Sequence, residues 1–186
     1  MMEEKVAIIE ALIFSAETPL TVEKIEPIFP DLKKDEIVNL VQKLVREYHE
    51  RHGGICIQEV AGGFRFQTKI EMAPWITKLK AVRPPSLSRS AMETLAVVAY
   101  RQPIVKADID RIRGVDTGGA LKGLLEKKLL RIVGRKDVPG KPIIYGTTRK
   151  FLEVFNLKSL AELPTLREIK DLQASDLQNH SAETGF

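Results

Sequence analysis

The chain has 186 residues, 44% of them hydrophobic and 29% charged, with a formal net charge of +4. This is the make-up of an ordinary globular protein, with room for one domain or two small ones. No stretch is apolar for long enough to span a membrane. The run 6–14 follows Glu3 and Glu4 and so is no signal peptide, and a lone cysteine, Cys56, has no disulfide partner, which makes a reducing cytoplasm the simplest setting.

The chain opens with an expected helix over 3–16. Val6, Ile9 and Ile13 fall on one face, which Leu12 and Phe14 widen. Thr18-Pro19 interrupts it. Thr21 is a suitable N-cap for a short second helix, 22–28, closed by Pro27 and Pro30. A third helix over 33–51 keeps the i, i+3, i+4 rhythm through Ile37, Leu40, Val41, Leu44, Val45 and Tyr48, until Gly53-Gly54 ends it. A hairpin follows, 55–60 and 64–68 about a turn at 61–63, with Phe64 and Phe66 on one side. A helix over 71–79 carries Trp75. Pro84-Pro85 then marks a short stiff linker, 81–87.

The order then repeats. A helix capped by Ser88 or Ser90 runs to Tyr100, and Ser90 with Glu93 fits a capping box. Pro103 breaks it. A second helix, 106–112, stops at Gly114, and Asp116 or Thr117 caps a third, 118–129, in which Ala120, Leu121, Leu124 and Leu125 pack inward. Strands over 131–133 and 143–145 flank a turn region, and 151–155 is a closing helix. Residues 173–186 are polar and read as disordered.

The two halves share a pattern. With Pro19 set on Pro103, an offset of 84, Leu12, Ile13 and Phe14 meet Ala96, Val97 and Val98; Leu20 meets Ile104, Ile25 meets Ile109, and Ile28 meets Ile112. A repeat this long fits two tandem small domains rather than a solenoid. Three helices and a hairpin are the order of a winged helix. The expected fold is therefore α+β, mainly α, with two tandem winged-helix domains, each a helix-turn-helix plus a β-hairpin wing: 1–80, a linker 81–87, 88–156, and a tail 157–186.

Charge is distributed unevenly. Residues 1–82 hold 11 Lys/Arg against 13 Asp/Glu, residues 83–150 hold 15 against 6, and residues 151–186 hold 3 against 6. The basic second unit calls for an anionic partner, nucleic acid or an acidic protein segment. Nothing calls for catalysis. His49 and His52 stand beside Glu50 and Arg51 on a solvated helix end, His180 is isolated, and no ligand set with zinc spacing exists. There is no phosphate-cradling glycine loop. No metal or cofactor is expected.

By position, the third helix of unit two would read DNA. It offers Gly119, Lys122, Gly123, Lys127 and Lys128, which attract phosphate but lack the Arg, Asn, Gln or Ser that meets base edges. The wing adds Arg131, Arg135, Lys136 and Lys141. A weak, sequence-blind DNA contact is compatible with this, and a winged-helix transcriptional regulator is the alternative reading. Glycines on an outer helix face also leave a groove for a partner segment, and a wing edge can accept a strand.

From Leu87 onward the residues become specific. LSRSAMETLAVVAYRQPI and DIDRIRGVDTGGALKGLLEKKLLRIVGRKDVPGKPIIYGTTRKFLEVFNLKSLAELP closely resemble the ScpB family of bacterial segregation and condensation proteins. EALIFSAETPLT and FRFQTK in unit one are similar in layout, and the resemblance covers about residues 5–165. It implies two winged-helix domains, a homodimer formed mainly through the N-terminal domains, and C-terminal domains that bind ScpA. That protein is the kleisin subunit bridging the heads of the SMC ATPase in a condensin-like complex, active in chromosome condensation and segregation at cell division in the cytoplasm, at the nucleoid. The resemblance implies no catalytic residues. One departure stands at Val105, where the family usually has Thr; Val accepts no backbone N–H, so that helix cap is weaker by ~1 kcal/mol.

On helical position, the expected partner-binding residues are Tyr100, Arg113, Gly119, Lys122, Gly123, Arg135, Lys136 and Tyr145. Tyr48 and Trp75 are the expected dimer-interface residues.

Overall fold

The computed structural model describes residues 2–80, 86–165 and 168. Most of the expected linker and the polar tail 173–186 lie outside the described residues. The fold is α+β and mainly helical. Two separate hydrophobic clusters form, one from Ile9 to Phe64 and one from Leu95 to Phe151.

The first cluster is built by α1 (Met2–Ser15), α2 (Val22–Ile25), α3 (Lys34–Glu50), β1 (Ile55–Val60) and β2 (Gly63–Thr68). In α3 every i, i+3, i+4 position from Ile37 to Tyr48 is buried except Val45, which is partly so. Tyr48 closes that stripe at the edge of the core. α1 buries only Ile9 and Ile13. Phe14 does not widen that face: at 100° per residue it points away from the stripe, and it is 75% exposed. The second helix tightens at Glu26–Ile28 into a 3-10 turn, because Pro27 has no N–H for the α-helical ladder. Thr21 stands at its N-cap but makes no capping bond. β1 and β2 pair antiparallel from Ile55–Thr68 to Val60–Gly63, so the turn is two residues, Ala61-Gly62, one fewer than expected. A 3-10 turn, Ile70–Met72, leads into α4 (Ala73–Lys80).

The second cluster is built by α5 (Arg89–Arg101), β3 (Ile104–Val105), α6 (Lys106–Arg113), α7 (Gly118–Glu126), β4 (Leu130–Arg135), β5 (Ile143–Thr147) and α8 (Arg149–Val154). Ser88, not Ser90, caps α5: its Oγ accepts the Ala91 N–H at 3.2 Å. Glu93 is drawn off to Arg89 and Arg113. Val105 stands at the N-cap of α6 with no side-chain bond, as its hydrocarbon side chain requires. Gly114 ends α6 at φ 70. α7 stops at Glu126, three residues early. Lys128 takes φ 57, and the Leu129 N–H reaches back to the Leu124 carbonyl at 2.9 Å, a Schellman closure with lysine where glycine is usual.

β3 was not expected. It pairs with β5 through Ile104–Tyr145 and Val105–Ile144, giving the sheet order β3-β5-β4. The first unit has the same device in reduced form. Leu20 and Phe64 exchange both backbone hydrogen bonds at 2.8 Å. Thus Leu20 and Ile104, 84 residues apart, each pair with the second strand of their hairpin. Ile25 and Ile109 are likewise both fully buried. In the opening helices the buried faces match one residue later: Ile9 and Ile13 correspond to Thr94 and Val98, an offset of 85. Ile28 and Ile112 are equivalent but exposed, so neither is core.

The halves touch. The Ala61 N–H, at the tip of the first hairpin, donates to the Leu157 carbonyl at 2.8 Å. The Arg65 guanidinium donates to the Glu153 carbonyl and to Asn156 Oδ1, both at 3.2 Å. Arg149 reaches the Pro19 carbonyl at 3.1 Å, and Lys158 pairs with Glu59 at 3.2 Å. Leu157 and Leu163 meanwhile pack on the second cluster.

Candidate partner-binding face

α7 is held from its N-terminal end by α6. Asp110 Oδ1 accepts from both the Thr117 N–H, at 2.9 Å, and the Thr117 hydroxyl, at 2.6 Å. Lys106 bonds the other Asp110 oxygen at 2.6 Å and also pairs with Asp116, whose Oδ2 accepts the Gly118 N–H at 3.2 Å. The Lys106 ammonium, then the Thr117 hydroxyl, pull the Asp110 carboxyl down to about 2; Asp110, then Asp116, push Lys106 up to about 12. A carboxylate with a lowered folded-state pKa contributes stability above its unfolded value and loses it as pH falls. The difference in Tm between the wild type and Asp110→Asn should therefore be widest above about pH 4 and close toward pH 2. A difference that is flat across that range, followed by circular dichroism, would show that Asp110 does not anchor α7 through its charge.

With its start fixed, α7 turns Gly119 and Gly123 outward; a Cβ added at either meets nothing within 4 Å. These glycines, Ala120 and Leu124 form one wall of a groove of about 290 Å³, closed on the other side by Leu87 and Ala91, with Ser86, Ser88, Ser90 and Lys127 around it. The floor is apolar and the edge offers hydroxyls and an ammonium. Such a groove fits a helix or extended segment that brings small apolar side chains and a carboxylate.

The expected partner-binding residues do not all lie on this face. Gly119 and Gly123 line the groove, and Lys122 is exposed on the same helix. Arg135 and Lys136 are exposed on the second hairpin, where Arg135 braces the loop by donating to the Lys141 carbonyl at 3.2 Å. Tyr100 is exposed, but its hydroxyl donates to the Pro164 carbonyl at 2.7 Å. Arg113 is mostly covered and bonds Glu93 at 2.5 Å. Tyr145 is buried in the second cluster, opposite Ile104 and Ile132 on the central strand β5. Its place in the sheet already accounts for an aromatic side chain there.

In the first unit Tyr48 and Trp75 are differently placed. Trp75 is 67% exposed under the Lys78 ammonium. Tyr48 lies at the core edge, its hydroxyl donating to the Glu10 carboxylate, which with burial raises the phenol pKa. It lines an aromatic groove of about 360 Å³ with Phe14, Phe66 and Ile55. Phe66 meets Phe14 edge-on at 5.8 Å and Tyr48 at 4.9 Å. Phe14 and Phe66 join Tyr48 in this groove, a juxtaposition that the sequence did not suggest. The one available signal was that Phe14 lies off the Ile9–Ile13 stripe.

Among the described residues no group of His, Cys, Asp and Glu is arranged to hold a metal, and no helix is long and apolar enough to cross a membrane.

The family model for segregation and condensation complex subunit ScpB matches residues 7–166. Segregation and condensation protein B of Syntrophotalea carbinolica is 48% identical over 166 residues, 89% of this chain and 84% of that protein. The protein of the same description from Clostridium tetani is 42% identical over 173 residues, covering 92% and 91%. Among solved structures, ScpB from Mycobacterium tuberculosis is similar at 30% identity over 83% of this chain and 96% of that one, with a TM-score of 0.40.

Proposed function

This chain belongs to the ScpB family of segregation and condensation complex subunits, and we propose from that membership that it is a non-enzymatic adaptor binding an ScpA-like kleisin. Through the kleisin it joins an SMC ATPase, at the nucleoid in the cytoplasm, and takes part in chromosome condensation and segregation. Two tandem winged helices, 1–80 and 88–156, divide the work. The linker is 81–87 and the tail 157–186. The helix–helix–helix–hairpin order in each half and the equivalent pairing of Leu20 and Ile104 support that division. The first unit dimerises, with Tyr48 and its aromatic neighbours Phe14 and Phe66 at the contact and Trp75 nearby on α4.

The single observation that carries the partner site is the open face of Gly119 and Gly123 above an apolar floor. There the kleisin segment lies close to the α7 backbone, while Lys122 meets its carboxylates and Arg135 and Lys136 extend the positive surface. The regulator reading is weaker, because the outer face of α7 offers glycine and lysine and none of the Arg, Asn or Gln that reads a base edge in bidentate fashion.

Size-exclusion chromatography with light scattering tests this. The protein alone should run as a dimer at micromolar concentration and shift to a larger complex with the ScpA-like kleisin of the same organism. Gly123→Trp starts from a position where an added Cβ meets nothing within 4 Å, fills the groove, and should weaken that complex at least about tenfold, since it blocks close backbone approach. A monomer, or a Gly123→Trp variant that binds as the wild type does, overturns the assignment.

A further inference from the structure

The ion pairs of the second unit are not spread evenly. Its carboxylates are spent on α5 and α6: Glu93 on Arg89 and Arg113, Asp108 on Arg111, Asp110 and Asp116 on Lys106. Arg149 and Lys150 share Glu153. Every lysine and arginine from Lys122 to Lys141, seven in all, is exposed and has no carboxylate within 4 Å among the described residues. The stretch contains two acidic residues, Glu126 and Asp137. Folding thus sorts a mildly basic chain into a neutralised side and a strongly positive arm, formed by the end of α7, the edge strand β4 and the loop that follows.

We infer that this arm binds the phosphate backbone of double-stranded DNA without regard to sequence. Three features favour a duplex. The cations follow one another through consecutive elements, the end of α7, the strand β4 and the loop after it, as a polyanion passing over the surface requires. β4 is six residues long, about 20 Å at the usual strand rise, enough to face several phosphates in succession. Gly134 and Gly140 leave the backbone open to close approach: an added Cβ meets nothing within 4 Å at either. Ile132, Val133 and Val138 are exposed along the same arm and would equally suit an acidic protein segment, so the test separates the two. The contact supplies loose, mobile attachment to DNA; it rests on Lys128, Arg131 and Lys141, which the kleisin assignment does not use, whereas Lys122, Lys127, Arg135 and Lys136 border both surfaces.

The experiment is fluorescence anisotropy of the full-length protein with a labelled 30-base-pair duplex between 50 and 200 mM salt. Five phosphate contacts give a log–log salt slope of about −4.5 and a loss of affinity of about 500-fold over that range. Unrelated duplexes should bind alike. The neutral triple variant Lys128→Gln, Arg131→Gln, Lys141→Gln should bind at least about tenfold more weakly at 50 mM, with a slope shallower by about 3. It should still shift with the kleisin, which also shows that it is folded. Binding by the triple variant equal to the wild type overturns the inference. So does displacement of the duplex by poly-glutamate as effective, charge for charge, as by unlabelled duplex, which would give the arm to an acidic protein. A triple variant that melts like the wild type but no longer shifts with the kleisin would overturn it too, by placing the arm within the kleisin site. Loss of the kleisin shift in Gly123→Trp alone bears on the groove and leaves the arm untouched.

Discussion

Gly63→Val should destabilise the first unit by about 3 kcal/mol, read as a fall in the urea midpoint. A Cβ at Gly63 would sit 2.8 Å from both the carbonyl carbon and oxygen of Pro19 and 2.9 Å from the carbonyl carbon of Leu20. These are backbone atoms, so no rotamer change relieves the clash. The segment that must move is the one in which Leu20 and Phe64 exchange two hydrogen bonds at 2.8 Å. Overpacking costs about 1–3 kcal/mol, and each lost hydrogen bond adds about 1. Gly62 provides the contrast. It has φ +70 with nothing within 4 Å of an added Cβ, so Gly62→Ala faces only the left-handed backbone, about 1 kcal/mol. If the two variants cost the same, the close approach of residues 19–20 to the hairpin is not what the fold depends on.

Ile109→Ala should cost about 2–5 kcal/mol, and Ile25→Ala should match it at the equivalent place in the other half. Both side chains are fully enclosed, and truncation removes apolar burial and leaves a cavity. Because the two clusters share no residue, the damage should stay local. Hydrogen exchange should quicken across α5–β5 in Ile109→Ala and across α1–β2 in Ile25→Ala, each variant sparing most of the other half. Their costs should add within about 0.5 kcal/mol. Equal loss of protection in both halves from either variant would mean that the two clusters unfold as one unit.

The elements that sequence reasoning placed well are those whose signal is local and periodic. The apolar rhythm from Ile37 to Tyr48 fixes α3, and the alternation about Ile57 fixes β1 with the right partner strand. What it missed lacks such a signal. β3 is two residues long and exists only because β5 lies beside it. The end of α7 rests on a lysine in a left-handed conformation, where the chain offers no glycine. The repeat was visible, yet α1 and α5 differ by one residue in where their buried faces begin, since the pattern Leu-Ile-Phe looks equally apolar in either frame. Of the candidate site, the outward glycines of α7 were legible because helical geometry alone turns them out. The aromatic groove was not, since it joins Phe14 to Phe66 through tertiary packing. Tyr145 shows the converse: an aromatic residue near a basic loop resembles an anchor until the sheet order puts it in the centre.

The bonds from Ala61, Arg65, Arg149 and Lys158 across the two halves can be weighed by effective concentration. Polar contacts of this number, partly exposed, would hold two free proteins only at about millimolar strength. Chain continuity between Lys80 and Ser86 makes each half a ligand tethered to the other, at an effective concentration that is itself about millimolar for a short connection. On these magnitudes an open arrangement would lie within about 1–2 kcal/mol of the closed one. A partner that prefers the closed form about tenfold moves it from roughly half to about nine-tenths of the population. An adaptor poised in this way needs no energy source of its own to change shape, because the binding of its partner is enough.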